Sequence, residues 1–285
     1  MNTLRSLPAR FHAASAVFLA IALAGLIGPL AASSAPTELL GTSFTPPGAD
    51  FLLGTDHLGR SIGVQLVHGV RTSLYIGLLA GLTGTAIGVV VGTAAGYRGG
   101  VVDELLMGLT NIMITVPSII VLLLLSISLD TRSVTVMGLC IGAVSWPWTA
   151  RAVRAQITSL REREHVDIAR LSGERAVRVI GVELLPYMLS YIVMAFVIQL
   201  YGAILAEAAL SLLGLGPTGT SSLGMMLHWA IAWESVRGGQ WWVFATPTLF
   251  ITAITFSLLL VQSSLDSVFN PRLRNPRPRG RKAAA

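Results

Sequence analysis

Between two long apolar segments of this chain lies RAVRAQITSLREREHVDIARLSGERAVRVIGVELLP, residues 151–186. This loop carries seven of the twenty basic residues and contains no catalytic constellation. Because an apolar environment disfavours charge, so charged a stretch in so apolar a chain must face water. We expect another protein to hold it.

Composition indicates the class of protein. Of the 285 residues, 53% are hydrophobic and 12% are charged, and the mean hydropathy is +0.71. These values are typical of an integral membrane protein in a lipid bilayer. The net charge of +6 is typical of cytoplasmic loops, so no nucleic-acid partner is expected. Cys140 is the only cysteine, which excludes intrachain disulfides and cysteine metal clusters.

Six apolar runs predict an all-α membrane protein with six transmembrane helices. A helix of roughly 20 residues crosses the hydrocarbon layer and keeps its backbone hydrogen bonds internal. The runs lie near residues 13–32, 74–96, 105–127, 133–150, 187–210 and 242–264. The first run imitates a cleavable signal peptide, but its apolar part is too long for one, so we expect an uncleaved span.

The basic residues predict the orientation of these spans. With a cytoplasmic N-terminus, sixteen basic residues lie inside and four outside. The outer ones are Arg60, Arg71, Arg132 and Arg237. The positive-inside rule then places both termini and the charged loop in the cytoplasm. The resulting units are 1–72 with the first span and an outer segment, a transmembrane core at 73–266, and a basic cytoplasmic tail at 267–285.

Six glycines form a stripe along the second predicted span. They are Gly77, Gly81, Gly84, Gly88, Gly92 and Gly96. Spacings of three and four residues place them on one side of a helix. Small residues let two helix backbones approach closely in a membrane, so we expect this helix to pack against another for most of its length.

The residues offer little catalytic chemistry. A phosphate-binding P-loop needs a lysine, and the only one is Lys282, so the chain is not expected to be an ATPase or to bind a cofactor. The five histidines are scattered, and no metal site is expected. Gln199 and Glu207 are polar residues within a predicted span. Glu207, with Gln199 deeper in the same helix, is a candidate for lining a translocation path; alternatively, the Glu207 carboxylate reaches outer water or a helix N-terminus.

Two short helices joined at a glycine are predicted within the charged loop. The first ends at Gly173, which can take a positive φ. The second runs from Glu174 towards Leu185, and Pro186 opens the next span. Its apolar face would comprise Val177, Ile180 and Leu184. The alternative is a solvated hairpin that only links two spans.

The segment from Asp167 to Pro186 resembles the EAA motif of bacterial ABC importer permeases. In that motif Glu-Ala-Ala is followed by three residues, a glycine and, about a dozen residues later, Leu-Pro. Asp167-Ile168-Ala169 takes the place of the triplet, Gly173 that of the glycine, and Leu185-Pro186 that of Leu-Pro. The triplet keeps its charge but loses its small central residue.

Other stretches resemble the C-type permease of the dipeptide, oligopeptide and nickel subgroup, and the ordered matches cover about residues 51–274. They are Leu53–Arg60, Gly96–Asp103, Ser159–Glu164, Glu207–Gly216 and Asn270–Arg274. The chain departs from the subgroup's pattern at Ser61, Leu212, Gln262-Ser263-Ser264 and Asn270. These departures indicate a divergent member.

The resemblance implies a type I importer fold in the bacterial cytoplasmic membrane. A second permease would complete the translocation path, and two ATPase subunits would bind ATP and magnesium. A solute-binding protein would dock outside, on segments 36–72 and 211–241. The residues implied for ATPase contact are His165, Val166, Asp167, Ile168, Ala169, Arg170 and Gly173. The outer-face signature comprises Gly54, Thr55, Asp56, Gly59 and Arg60.

The implied cargo is a di- or oligopeptide, with nickel complexes, haem or glutathione as alternatives. From the residues alone, an ion-coupled secondary transporter component is a rival class, but such proteins normally carry several midplane carboxylates and an inverted repeat. A passive pore would not need the charged loop. Uptake that requires ATP and resists a proton uncoupler would distinguish the importer from both.

Overall fold

Helices make up the regular structure. The computed structural model describes residues 9–32, 34–129 and 132–269, and within these ranges the only strand-like pairing is a bridge between Thr55 and Ser61. The helices are α1 (Ala9–Ala31), α2 (Ile62–Arg98), α3 (Gly100–Thr115), α4 (Ser118–Ser128), α5 (Val134–Leu160), α6 (Glu164–Leu171), α7 (Ala176–Arg178), α8 (Leu185–Leu212), α9 (Leu223–Ala232) and α10 (Trp241–Phe269). A π-helical turn, Val179–Leu184, joins α7 to α8. The predicted all-α class is confirmed, whereas most of the predicted basic tail lies outside the described residues.

Within the described ranges, four helices are long and apolar enough to cross a membrane. They are Ala9–Ala31, Ile62–Arg98, Ala176–Leu212 and Trp241–Leu265. Helices α3 and α4 would form a fifth span together, although they are bent by 83°. The remaining predicted run, 133–150, lies in α5, which is 27 residues long but less apolar than these four.

The bend between α3 and α4 interrupts the predicted run 105–127. Pro117 disfavours a helical conformation at the residue before it, and Val116 is extended, with φ −84° and ψ 123°. Helix α3 therefore ends at Thr115, and α4 starts just after the proline.

The glycine stripe of α2 is buried along its whole length, as predicted. A Cβ on Gly77 would lie 2.7 Å from Ile204 of α8. Further along, a Cβ on Gly88 would lie 2.6 Å from the Cβ of Thr149 in α5. The stripe therefore lets α2 contact α8 around Gly77, and α5 around Gly88, nearer the C-terminal end of α2.

The charged loop follows the prediction in its first half. Helix α6 ends at Leu171, and Gly173 takes a φ of 78°. The N–H of Glu174 donates to the carbonyl of Ala169 at 3.2 Å, which closes the turn. A glycine suits this position because other residues rarely adopt a positive φ.

The second half of the loop differs from the prediction. No separate helix with its own apolar face forms, because α7 continues through the π-helical turn into α8. Pro186 has no N–H, and at this point the Leu185 N–H donates to Ile180 five residues back. The wider turn changes the rotation about the helix axis between the residues before it and those at its end. Leu184 is therefore buried, whereas Val177, which precedes the turn, is exposed.

Candidate coupling site and membrane path

An apolar cluster, here called the root cluster, fixes the charged loop to the long helices. It comprises Val153, Ile157, Leu160, Val166, Val179, Leu184 and Met188, all of them buried. Val166 is the buried residue of α6, and the others belong to α5 and to the segment that enters α8. Burial of one such side chain contributes about 1.5–3 kcal/mol. The cluster therefore joins α6 to two long helices.

The other face of the loop is exposed and partly apolar. Ile168, Leu171 and Val177 are 64%, 89% and 83% exposed. Several exposed apolar side chains on a water-facing loop indicate a contact surface for another protein. We call these three residues the apolar face of the loop. Also exposed on the loop are Asp167, Arg170 and Gly173.

The remaining residues implied for ATPase contact lie against the chain itself. Val166 belongs to the root cluster, and Ala169 packs against it. The His165 ring lies 5.0 Å from the ring of Tyr187. A Cβ on Gly173 would meet nothing within 4 Å, so its backbone conformation, not packing within this chain, requires glycine there.

The turn between α2 and α3 braces the loop from the side. Arg161 donates from Nη1 to the Gly96 carbonyl at 2.9 Å, and the guanidinium of Arg170 lies 4.8 Å from the centre of the Tyr97 ring. The turn needs Gly99 and Gly100, whose φ values are 68° and 53°. The motif Gly96–Asp103 thus has a structural role that the sequence did not reveal.

Two arginines at the start of the loop are held by α3. Arg154 donates from Nε to Asp103 Oδ1 at 2.9 Å and forms a second bond with Oδ2. Arg151 donates to Asn111 Oδ1 at 2.8 Å. Part of the loop's positive charge is therefore used within the chain, which leaves less of it for a partner.

Gln199 lies at a buried contact between α8 and α5. Its Nε2 donates to the Ser145 carbonyl and to Thr149 Oγ1, both at 2.9 Å. Both N–H groups of the amide are thereby satisfied. The side chain connects two helices in this conformation.

Glu207 is fully buried where α2, α8 and α9 meet. Its Oε2 accepts a hydrogen bond from Ser73 at 3.0 Å. Its Oε1 accepts from Ser211 at 2.7 Å and from Ser222 at 2.6 Å. Ser222 also caps α9 by accepting from the N–H of Met225. The carboxylate therefore lies beside a helix N-terminus, which is one of its two predicted environments.

Asp56 organises the outer-face signature. Its Oδ1 accepts from the backbone N–H groups of Leu58 and Arg60, both at 2.9 Å. Its Oδ2 accepts from Arg60 Nε at 2.7 Å and from Gln65 Nε2 at 2.9 Å. One carboxylate thus closes a turn and ties it to the first residues of α2.

The rest of the signature holds this turn against α10. Gly54 and Gly59 have φ values of 76° and 80°, and a Cβ on Gly54 would lie 2.7 Å from the Thr45 carbonyl. The indole of Trp242 donates to the Thr55 carbonyl at 3.2 Å. The signature therefore forms an ordered loop before α2.

His57, inside the same signature, stacks on two tryptophans. Its ring lies 4.7 Å from that of Trp233 and 5.5 Å from that of Trp229. Burial lowers the pKa of the His57 imidazole, although the neighbouring Asp56 opposes this effect. The ring is therefore neutral at pH 7 and packs as an aromatic group.

Residues 88–275 match the family described as "Binding-protein-dependent transport system inner membrane component". This chain belongs to that family. The permease is 30% identical over 260 residues to the dipeptide transport system permease protein DppC of Bacillus subtilis, which covers 90% of the permease and 80% of the relative. It is 31% identical over 267 residues to a putative peptide transport system permease protein of Brucella suis, with 93% and 88% covered.

The structural comparison supports the same fold. The permease superposes on a chain of the inward-facing MetNI methionine ABC transporter with a TM-score of 0.55 and 19% identity. The match covers 72% of the permease and 96% of that chain. The motif-based resemblance to importer permeases and the type I fold class are thus confirmed. The permease is a multi-pass component of an inner-membrane transport system.

Two residues of the apolar face escaped the sequence analysis. Leu171 was not among the implied contacts, and Val177 was placed on the apolar face of the second predicted helix. The sequence alone does not separate these two from apolar residues of the loop that are buried, such as Val166 and Val179. The matched region, residues 88–275, includes this loop.

Proposed function

We propose that the permease forms, with a second permease, the membrane path for uptake of di- or oligopeptides, and that ATPase subunits drive it through the cytoplasmic loop. The observation that carries this proposal is the combination of a buried root and an exposed apolar face in one short segment. A loop that only linked two spans would need neither.

The transfer of motion follows from how the loop is fixed. Val166 is packed into the root cluster, so a displacement of α6 displaces α5 and the start of α8. Packed interfaces move as units because they are not continuously deformable. Closure of two ATPase subunits on ATP and magnesium would therefore shift the long helices and alternate the opening of the path. ATP hydrolysis itself is assigned to those partner subunits.

Substitution in the apolar face tests the docking. Leu171→Ser should weaken retention of the ATPase subunits on the purified permease about tenfold or more, because an apolar contact of this size is worth roughly 1.5–3 kcal/mol. Leu52→Ser is the matched control, since Leu52 is 86% exposed but lies in the outer segment. Equal retention of the ATPase by both variants would contradict the proposed docking.

The peptide cargo rests on the relatives. The two Bacillus subtilis relatives are named for dipeptide transport and for oligopeptide transport. The permease is 32% identical to the oligopeptide relative over 230 residues, which cover 80% of the permease and 74% of the relative. The reconstituted complex should take up labelled dipeptides only with ATP, and unlabelled di- and oligopeptides should compete. Competition by a nickel complex, haem or glutathione instead would favour those alternatives. Uptake abolished by a proton uncoupler with ATP maintained would indicate a secondary transporter.

A solute-binding protein is proposed to dock on the outer segments 36–72 and 211–241. The ordered loop around Asp56 and the tryptophans beside His57 support a rigid platform there. Both termini are assigned to the cytoplasm because sixteen of the twenty basic residues then lie inside. Arg237→Cys should react with an impermeant thiol reagent added outside intact cells, and Arg175→Cys should not.

For the two polar residues of α8, the hydrogen bonds support a structural role in this conformation. The amide nitrogen of Gln199 is bound to α5, and the carboxylate of Glu207 is bound to Ser73 of α2 and to Ser222 at the start of α9. A role in lining the path would require these bonds to break in another state. Gln199→Leu should therefore reduce the amount of assembled complex more than it reduces uptake per assembled complex.

A further inference from the structure

A cleft of about 670 Å³ opens between α1, α2 and the start of α5. Its lining changes in character along α2. His68 and Arg71 lie near the end where α2 begins, and Ser221 of the loop before α9 joins the same lining. Leu74 and Leu78 follow deeper along the helix, with Leu26 of α1 in the lining as well. The cleft thus has a polar, cationic end and an apolar end.

The position of Arg71 along α2 places it at the depth of lipid headgroups. Arg71 and Arg98 are 27 residues apart on one helix, which corresponds to about 40 Å at 1.5 Å per residue. A bilayer measures about 40–45 Å across its headgroup regions and about 30 Å across its hydrocarbon. With Arg98 at the cytoplasmic surface, Arg71 lies among the headgroups of the other leaflet. Leu78, about 10 Å deeper, lies beside the acyl chains.

The charge of Arg71 is not used within the described chain. Its side chain is exposed, and no ion pair or hydrogen bond links it to another of the described residues. The other outer arginines differ in this respect. Arg60 is paired with Asp56, Arg237 with Glu234, and Arg132 donates to the Gly214 carbonyl.

We propose that this cleft is a binding site for one phospholipid of the outer leaflet, whose phosphate is held by Arg71 and whose acyl chain lies against Leu74 and Leu78. A guanidinium forms strong, charge-assisted hydrogen bonds with phosphate. The hydroxyl of Ser221 and the imidazole of His68 add polar partners at the same end. The volume lies within the range of ordinary ligand sites. The bound lipid would fill the space between α1 and the rest of the fold.

Helices α1 and α2 are in close contact beside the cleft. A Cβ on Gly28 would lie 2.8 Å from Val67, so the helices touch towards their outer ends. Gly25, on the wall of the cleft, belongs to the same contact, since a Cβ there would lie 2.5 Å from Cγ1 of Val70. An acyl chain in the cleft would add packing beside this contact. The inference is independent of the cargo.

Lipid retention tests the proposal on the assembled transporter. The complex is purified from membranes of phosphatidylethanolamine and phosphatidylglycerol, stripped with detergent, and its retained phospholipids are counted by native mass spectrometry. Arg71→Gln should lose a tightly held phospholipid, and Arg71→Lys should keep it because the positive charge remains. Leu78→Trp, which fills the apolar end, should also lose it. Arg237→Gln, an outer arginine outside the cleft, should match the wild type.

Two results would overturn the assignment. The first is the same number of retained phospholipids in wild type, Arg71→Gln and Leu78→Trp. The second is a disulfide between Leu78→Cys and a cysteine placed in the second permease, in a Cys140→Ala background, because it would show that a protein covers the cleft.

Discussion

Replacement of Gly88 by alanine should force α2 and α5 apart. The added Cβ would lie 2.6 Å and 2.8 Å from Cβ and Cγ2 of Thr149, and 3.0 Å from the Trp146 carbonyl. Carbon atoms in favourable contact are about 3.5–4.0 Å apart, so the helices must separate by about 1 Å. The contacted atoms belong to backbone and to a β-branched side chain, which cannot rotate away. Overpacking of this kind costs about 1–3 kcal/mol.

A matched substitution isolates the steric part of this cost. Gly202→Ala lies in the middle of α8, where an added Cβ meets nothing within 4 Å. Both variants gain the same helix propensity, about 1 kcal/mol relative to glycine. The difference between them therefore measures contact with α5. Unfolding of the detergent-solubilised permease in dodecyl sulfate, followed by tryptophan fluorescence, should show Gly88→Ala less stable than Gly202→Ala by about 1–3 kcal/mol.

Equal unfolding midpoints for these two variants would refute the close approach of α2 and α5. A lower midpoint for Gly202→Ala would refute it as well. Uptake should follow stability in this pair, because the stripe contains no group that could act on a substrate.

Three further outcomes are expected. Gly173→Trp places a bulky residue at a φ of 78°, at a cost of about 1–2 kcal/mol, and on an exposed surface; uptake and stimulated ATPase activity should both collapse while the complex assembles, and Gly173→Asn, which tolerates this conformation, should keep more of both. Unchanged uptake in the tryptophan variant would count against docking through the loop. Glu207→Gln exchanges an acceptor for a donor among three serine hydroxyls and should lower the stability of the complex by roughly 1–3 kcal/mol, with uptake per assembled complex retained; lost uptake at full assembly would instead favour a role in the path. Because burial lowers the pKa of His57 below 6.5, the folded protein binds fewer protons at this site than the unfolded chain once the pH falls below 6.5. The stability from neutral His57 is thus present above pH 6.5 and lost as the pH falls through the lowered pKa, and melting temperatures of His57→Phe should decline less on acidification than those of the wild type; parallel declines would contradict this assignment.

Residue spacing predicted those features of the fold that depend only on residues close together in the chain. The glycine stripe of α2 required only that a helix form, and its burial follows from spacing. The positive φ of Gly173 and the end of α6 likewise depend on neighbouring residues. Motif order identified the family because several short matches occur in the same sequence along the chain.

Predictions failed where a single residue changes the helical period. Pro117 separates α3 from α4, and the π-helical turn before Pro186 places Val177 and Leu184 on different faces. The partners of Glu207 could not be predicted for another reason. Ser73 lies 134 residues away in sequence, and only the packing of α2 on α8 brings the two together. The role of Tyr97 beside Arg170 was hidden in the same way.

The two attachments of α6 have a mechanical consequence. A force applied at Ile168 or Leu171 is transmitted by two routes. One passes through Val166 to the ends of α5 and α8 that meet the loop. The other passes through Arg170 and Tyr97 to the C-terminal end of α2. Loss of either contact should leave a transporter that still changes conformation with ATP, but with a smaller displacement of its helices in each cycle. The apolar contact of Val166 and the cation–π contact between Arg170 and Tyr97 would then transmit the displacement to different helices.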